Sequence, residues 1–167
     1  MSDQEAIRAV AWLGETWGFW IQTGAFLLSA LAGVAVIHFN GKQARTSALV
    51  NMLTLHKSDK DLVAATKRVN ALQSSGILLS RHVNTPTDMR EDILKVLNTH
   101  EFIAVGVQMR AFDESVYKQM QCSNVLRLWS AAKGFITEQR ESEGRPTIFQ
   151  DFEQLACRWK LKPIKPL

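Results

Sequence analysis

Between Glu15 and Lys42 the chain carries no formal charge, and ten Leu, Ile, Val or Phe side chains fall inside that interval. As a helix, such a stretch is about 39 Å long at 1.5 Å per residue, enough for the hydrocarbon core of a bilayer and most of the headgroup zone. Those ten side chains favour insertion by about 3 to 6 kcal/mol in total. Gln22 and Thr23 lie near one end, where polarity costs less, and only Ser29 sits deep. Residues 17–39 therefore read as a transmembrane helix. Trp17 and Trp20 anchor one interface, and Lys42 and Arg45 anchor the other. A secretory signal would need a basic start, a shorter apolar run and a small-residue cleavage site. Here the start is acidic, and no Ala-x-Ala follows. A buried core helix rarely stays uncharged for so long.

Downstream the pattern changes to helical amphipathicity. Leu62, Ala65, Val69, Leu72, Gly76, Leu79 and Val83 recur at three and four residues, an a/d seam of three heptads within a helical pattern from Ala44 to about Val83; Ala48, Met52 and Leu55 extend it backwards, with Asp59 as the break. Such a seam packs either on its own domain or, as a coiled coil, on a second copy. The stretch 82–86 reads as a loop. Asp88 is placed as the cap of a helix reaching about Phe112, and Asp113 restarts a helix to about Arg140. After a turn at 143–146, Thr147 to Gln150 reads as a capping box opening a last helix with Phe149, Phe152, Leu155, Ala156 and Trp159 on one side. No strand-like alternation appears. The expectation is all-α: one amino-terminal transmembrane helix, then an antiparallel bundle of four to five helices. The divisions are a short amphipathic segment at 1–16, read as helical over 3–15, the span at 17–39, a helical domain at 42–160 and a basic tail at 161–167. Asn40-Gly41 marks a bend after the span.

Charge sets orientation. Only Arg8 and the amino terminus precede the span, whereas Lys42, Arg45, Lys57 and Lys60 follow it. The positive-inside rule puts the carboxy-terminal body in the cytoplasm and the amino terminus outside. The whole chain is +4, and the body after Gly41 holds 19 of the 20 basic residues. Acids are interspersed with them, which suits a solvated surface attracted to anionic headgroups; no nucleic-acid motif is present. Cys122 and Cys157 fit no metal or redox spacing and read as two buried free thiols, consistent with a reducing compartment. Ala25, Ser29 and Gly33 form a small-residue face on the span that would let two spans pack into a homo-oligomer.

Chemistry is sparse. His38, His56, His82 and His100 form no metal-binding spacing, and no nucleophile elbow, phosphate loop or dinucleotide fingerprint occurs, so neither metal nor cofactor is expected. The polar position that stands out is Glu101, on a helix face with Leu94, Leu97, Ala104 and Val105. A carboxylate there needs a partner or a raised pKa. Arg127 and Arg140 on the following helix are the candidate partners in a structural ion pair that fixes helix register. Catalytic use of Glu101 is the alternative.

The strings LNTHEFIAVGVQMRAFDESVYK and LWSAAKGFITEQRESEGRPTIFQDFEQLACRW carry an Asn98-x-x-Glu101 stretch, Trp129, a Phe135-Ile-x-x-x-Arg140 segment and a closing Phe152-Glu-x-Leu-x-x-x-Trp159. They resemble the carboxy-terminal part of the domain of unknown function 4760 family, over roughly residues 42–160. The resemblance implies a bacterial, phage-associated, single-span protein anchored in the inner membrane, and it supplies no activity. Three function classes follow as expectations. The first is a non-enzymatic membrane-anchored module that binds a protein partner at the cytoplasmic face, with phage exclusion as one such role. The others are a membrane-tethered enzyme using Glu101 and a membrane-tethered nucleic-acid binder, the last being the partner class not expected.

Overall fold

Three of the helices among the described residues begin where the local sequence offers a side-chain cap. In the computed structural model the described residues are 11–12, 15–84 and 87–164, with side chains described from Trp17 onward. Among the described residues five helices follow one another: α1 Trp17–Ser58, α2 Lys60–Ser74, α3 Asp88–Gln108, α4 Glu114–Glu143 and α5 Gln150–Leu161, with one 3-10 turn at Leu79–His82. The chain divides into two compact units, Met1–Gln43 and Ala44–Leu167. The long α1 contributes residues to both.

The first unit departs from expectation at its start. Ala11–Trp12 (β1) and Glu15–Thr16 (β2) are extended and pair antiparallel, so the amphipathic helix expected over 3–15 does not extend through these positions; residues 1–10 and 13–14 lie outside the described residues. The apolar stretch at 17–39 is helical throughout. Asn40-Gly41 produces no bend that ends the helix, because α1 continues to Ser58. A lone glycine costs a helix only about 1 kcal/mol, too little to break one this long.

In the second unit Asp59 separates two helices by capping. Its Oδ1 accepts from the amides of Asp61 and Leu62, both at 3.0 Å. The helical pattern from Ala44 to Val83 is thus divided at the expected break. It is divided again after Ser74, where Gly76 takes a left-handed φ of +71° and the amide of Ile77 turns back to the Leu72 carbonyl. The three-heptad seam is therefore not one stripe. Leu62, Ala65 and Val69 lie on α2, Leu79 in the 3-10 turn and Val83 just beyond it, and all five are buried in the body's own core. That disposition favours intradomain packing and removes a continuous coiled coil over 62–83.

Caps also differ in detail from the sequence expectation. Thr87, not Asp88, caps α3, accepting from the Arg90 amide at 3.3 Å. Asp113 caps α4 as expected, through the amides of Ser115 and Val116, and α4 ends on left-handed Gly144. The α3–α4 corner needs Gly106: a Cβ there would lie 2.3 Å from the Phe112 ring. The amides of Ala111 and Phe112 both close onto the Gly106 carbonyl.

The core of the second unit joins the end of α1, α2 to α5 and the 3-10 turn. α2 packs on α3, α3 on α5, and α4 on both α5 and the 3-10 turn. Trp159, Tyr117, Phe135 and Phe152 are its largest fully buried side chains, and Leu49 brings the end of α1 into it. Thr46 donates to Asp113 at 3.2 Å, tying the same end of α1 to the α4 cap. Two polar links cross the core's margin. Arg68 on α2 grips Asp92 on α3 with two bonds, Nη2 to Oδ1 at 2.7 Å and Nε to Oδ2. This bond holds the Asp92 carboxyl below its usual range. The buried Gln139 receives Arg90 Nη2 at 3.3 Å, while Arg90 Nε donates to the Val83 carbonyl at 2.9 Å. Cys122 is buried, but Cys157 is exposed, which corrects the expectation of two buried thiols; both are free. α5 presents Leu155, Ala156 and Trp159 inward, and Cys157 falls on its opposite side.

Candidate functional site

Two polar arrangements stand out in the second unit. The first is centred on Glu101. It is a half-buried side chain of α3, and its two carboxylate oxygens accept from backbone amides at the start of α5: Oε2 from Phe152 at 2.7 Å and Oε1 from Asp151 at 3.2 Å. The first amides of a helix have no partner inside it and carry the positive end of its dipole, so a carboxylate fits there. The local sequence cannot supply this cap. Phe149 occupies the cap position with a left-handed φ of 54° and makes no side-chain cap bond. The capping box expected at Thr147–Gln150 is therefore absent, and a residue 50 positions upstream replaces it.

This also corrects the expected ion pair. Neither arginine bonds Glu101. Arg127 lies exposed, reaching Asn124 at 3.5 Å. Arg140 pairs with Glu153 at 2.8 Å and donates Nε to the Ile148 carbonyl at 2.8 Å. It acts on Glu101 only through its charge, as the smallest influence. Burial raises the Glu101 pKa first, and the two amide bonds and Arg140 pull it back in part. Removing the cap by Glu101→Ala is expected to lower stability by about 1 to 2 kcal/mol. Glu101→Gln, which keeps one carbonyl oxygen for one amide, should lie between. Thermal unfolding of the two variants beside the parent checks this; a Glu101→Ala protein as stable as the parent would show that α5 does not depend on the cap.

The second arrangement is a cavity of about 260 Å³ where the end of α1 meets α2, α3 and α4. Leu53, Leu62, Val63, Val96 and Ile103 make its wall apolar. Its polar groups are His56, His100, Tyr117, Thr66, Thr99 and Gln121, with Lys57 and Lys67 at exposed positions on its rim. Tyr117 Oη lies 3.2 Å from His100 Nδ1. Burial pushes the Tyr117 phenol up, so it keeps its proton and can donate to Nδ1, leaving the imidazole proton on Nε2. The His100 ring also lies 5.4 Å from Phe152, centroid to centroid. Burial pushes its pKa down to about 4, with the His56 charge a smaller influence in the same direction. Burial lowers His56 too, against the opposing charge of Asp59.

Sequence reasoning missed this pairing. His56 and His100 are 44 positions apart on different helices, and no spacing rule joins them. The only available signal was that each lies on the inward side of an amphipathic helix. Among the described residues no three His, Cys, Asp or Glu side chains converge as a metal site requires. On the apolar part of α1, Ala25, Ser29 and Gly33 are all exposed, and a Cβ at Gly33 would meet nothing within 4 Å. Trp17 is exposed and Trp20 half-buried; Lys42 and Arg45 are exposed.

The sequence profile of the Domain of unknown function (DUF4760) matches residues 21–159. The chain belongs to this family. The DUF4760 match begins inside α1 and ends at Trp159, so the Glu101 cap and the cavity of His56, His100 and Tyr117 both lie within the family's domain. No curated protein and no solved structure matches the chain.

Proposed function

We propose that this protein is a single-span, membrane-anchored module whose helical body works by binding at the cytoplasmic face of a bacterial inner membrane. The observation that carries the reading is the state of the first helix. Its most apolar stretch has a mean hydropathy of 1.8, and none of that stretch is buried. Ile21, Leu28, Ile37 and Phe39 are each at least 70% exposed. A core helix of a soluble domain would bury such side chains, because each contributes about 1.5 to 3 kcal/mol on leaving water. A bilayer offers the same gain. The basic flank at Lys42, Arg45, Lys57 and Lys60 supports an inward-facing body. The open Ala25/Ser29/Gly33 face supports pairing of two spans.

Binding is favoured over catalysis because both oxygens of Glu101, the candidate catalytic carboxylate, are committed to the α5 amides. A protein partner at the cytoplasmic face, including one engaged in phage exclusion, fits this reading, with the lipid bilayer as the constant partner and nucleic acid outside it.

The test is topological. Alkaline phosphatase, active only outside the cytoplasm, is fused after Leu167 in a bacterial host and should stay silent, while the fusion stays in the membrane through alkaline carbonate washing. Mass spectrometry should find the residues before Trp17 still attached. An active fusion would reverse the orientation. Removal of the apolar helix from the mature chain would make it a cleaved leader and end the anchored reading.

A further inference from the structure

We propose that the cavity between α1, α2, α3 and α4 is a binding site for a small anionic amphiphile, a carboxylate on an aryl or alkyl body of about ten heavy atoms. The size follows from volume. A cavity of 150 Å³ holds benzene, so one of about 260 Å³ takes a body of about ten heavy atoms. The apolar body follows from the wall of Leu53, Leu62, Val63, Val96 and Ile103, drawn from three helices.

The sign of the head group follows from what is present and what is missing. The lining contains Lys57, Lys67, His56 and His100, and no aspartate or glutamate. Its hydroxyls are already partly spent: Thr66 Oγ1 donates to the Leu62 carbonyl at 2.8 Å and Thr99 Oγ1 to the Lys95 carbonyl at 2.9 Å. The imidazoles are not. His100 uses only Nδ1, against Tyr117, so Nε2 has no protein partner among the described residues, and His56 makes no hydrogen bond to protein there. Two half-buried imidazoles with open positions line an otherwise apolar pocket and can donate to an acceptor, and two rim ammonium groups favour one that is negatively charged. A cation would face the two rim ammonium groups with no carboxylate in the lining. Lys57 and Lys67 sit at the mouth, so the head group lies toward the rim and the body points to Val96 and Ile103.

This inference rests on the body alone and does not depend on the anchored reading or on orientation. It is tested with the full chain in nanodiscs of neutral lipid, by isothermal titration with 4-phenylbutanoate, the isosteric 4-phenylbutan-1-ol and 4-phenylbutylamine, each measured against empty nanodiscs. The carboxylate should bind saturably with one site per chain and at least about tenfold more tightly than the alcohol, a difference of about 1.4 kcal/mol, and the amine should not bind. Val63→Phe, which fills the pocket from a half-buried position, should abolish binding. Lys57→Glu with Lys67→Glu, at exposed positions that leave the fold intact, should weaken carboxylate binding by at least tenfold; an unchanged thermal midpoint confirms that the body is folded. No saturable heat above that of empty nanodiscs overturns the proposal. Equal binding of all three probes, or carboxylate binding that survives both variants, overturns it as well.

Discussion

Replacing Trp159 with alanine removes about 3 to 5 kcal/mol of the body's stability, the range for truncating a buried aromatic. Trp159 is 1% exposed. Its ring lies 5.4 Å from Tyr117 and its Nε1 donates to Glu114 Oε1 at 2.8 Å. It thus locks the last helix to the start of α4, where Arg158 also reaches Glu114 at 3.1 Å. A domain holds only about 5 to 15 kcal/mol in total, so the variant should unfold at a temperature more than about 10 °C lower. Trp159→Phe keeps most of the packing but leaves Glu114 without its indole donor, and should lose about 1 to 2 kcal/mol. Near-UV circular dichroism, which reports tertiary packing, measures both. A Trp159→Ala protein within about 1 kcal/mol of the parent would mean that α5 is not integral to the core.

Acid should destabilise the body between pH 6.5 and 4, and His100→Gln should abolish most of that dependence. In the folded chain burial pushes His100 from its ordinary 6.5 down to about 4. Over that interval the unfolded chain binds more protons than the folded one, so stability rises with pH. The contribution is complete above the unfolded value and is lost as pH falls through the window. At about 1.4 kcal/mol per pH unit it amounts to about 3 kcal/mol. His56, also lowered by burial, acts in the same direction. At His56 the charge of Asp59 opposes burial. Three carboxylates act outside or against this window. Asp92, held low by Arg68, and Asp113, held low first by the Ser115 hydroxyl, lose their contributions only as pH falls below the ordinary carboxylate range. Glu101 has the opposite sign: its raised pKa stabilises the fold at low pH, and that contribution is lost as pH rises through its folded value. Urea midpoints at several values from pH 7 to 4 for the parent and His100→Gln separate these influences, and parallel curves would remove His100 as the cause.

The amino-acid sequence by itself determined what local physics can decide. The uncharged interval from Glu15 to Lys42 specifies a long exposed apolar helix without reference to anything else in the chain, because span length and charge are properties of one segment. Helix periodicity gave the all-α class, and Asp113 gave the start of α4, because a cap bonds amides two and three residues away. The resemblance carried by Asn98 to Glu101, Trp129 and Phe152 to Trp159 led to the family for the same reason: it is a pattern along the chain.

Tertiary structure decided everything that joins distant residues. Glu101 was legible as a half-buried carboxylate that needed partners, but its partners are amides 50 and 51 positions away, because Phe149 leaves the α5 amides uncapped locally. Arg127 and Arg140 lie on α4 as expected, yet helix packing directs them to Asn124 and Glu153. The heptad seam over 62–83 was real as a pattern of buried residues, but left-handed Gly76 divided it, and a periodicity count cannot register a change of backbone hand. The cavity of His56, His100 and Tyr117 exists only because four helices bring together side chains that no sequence spacing relates, since burial and electrostatic environment are properties of the packed body rather than of any segment.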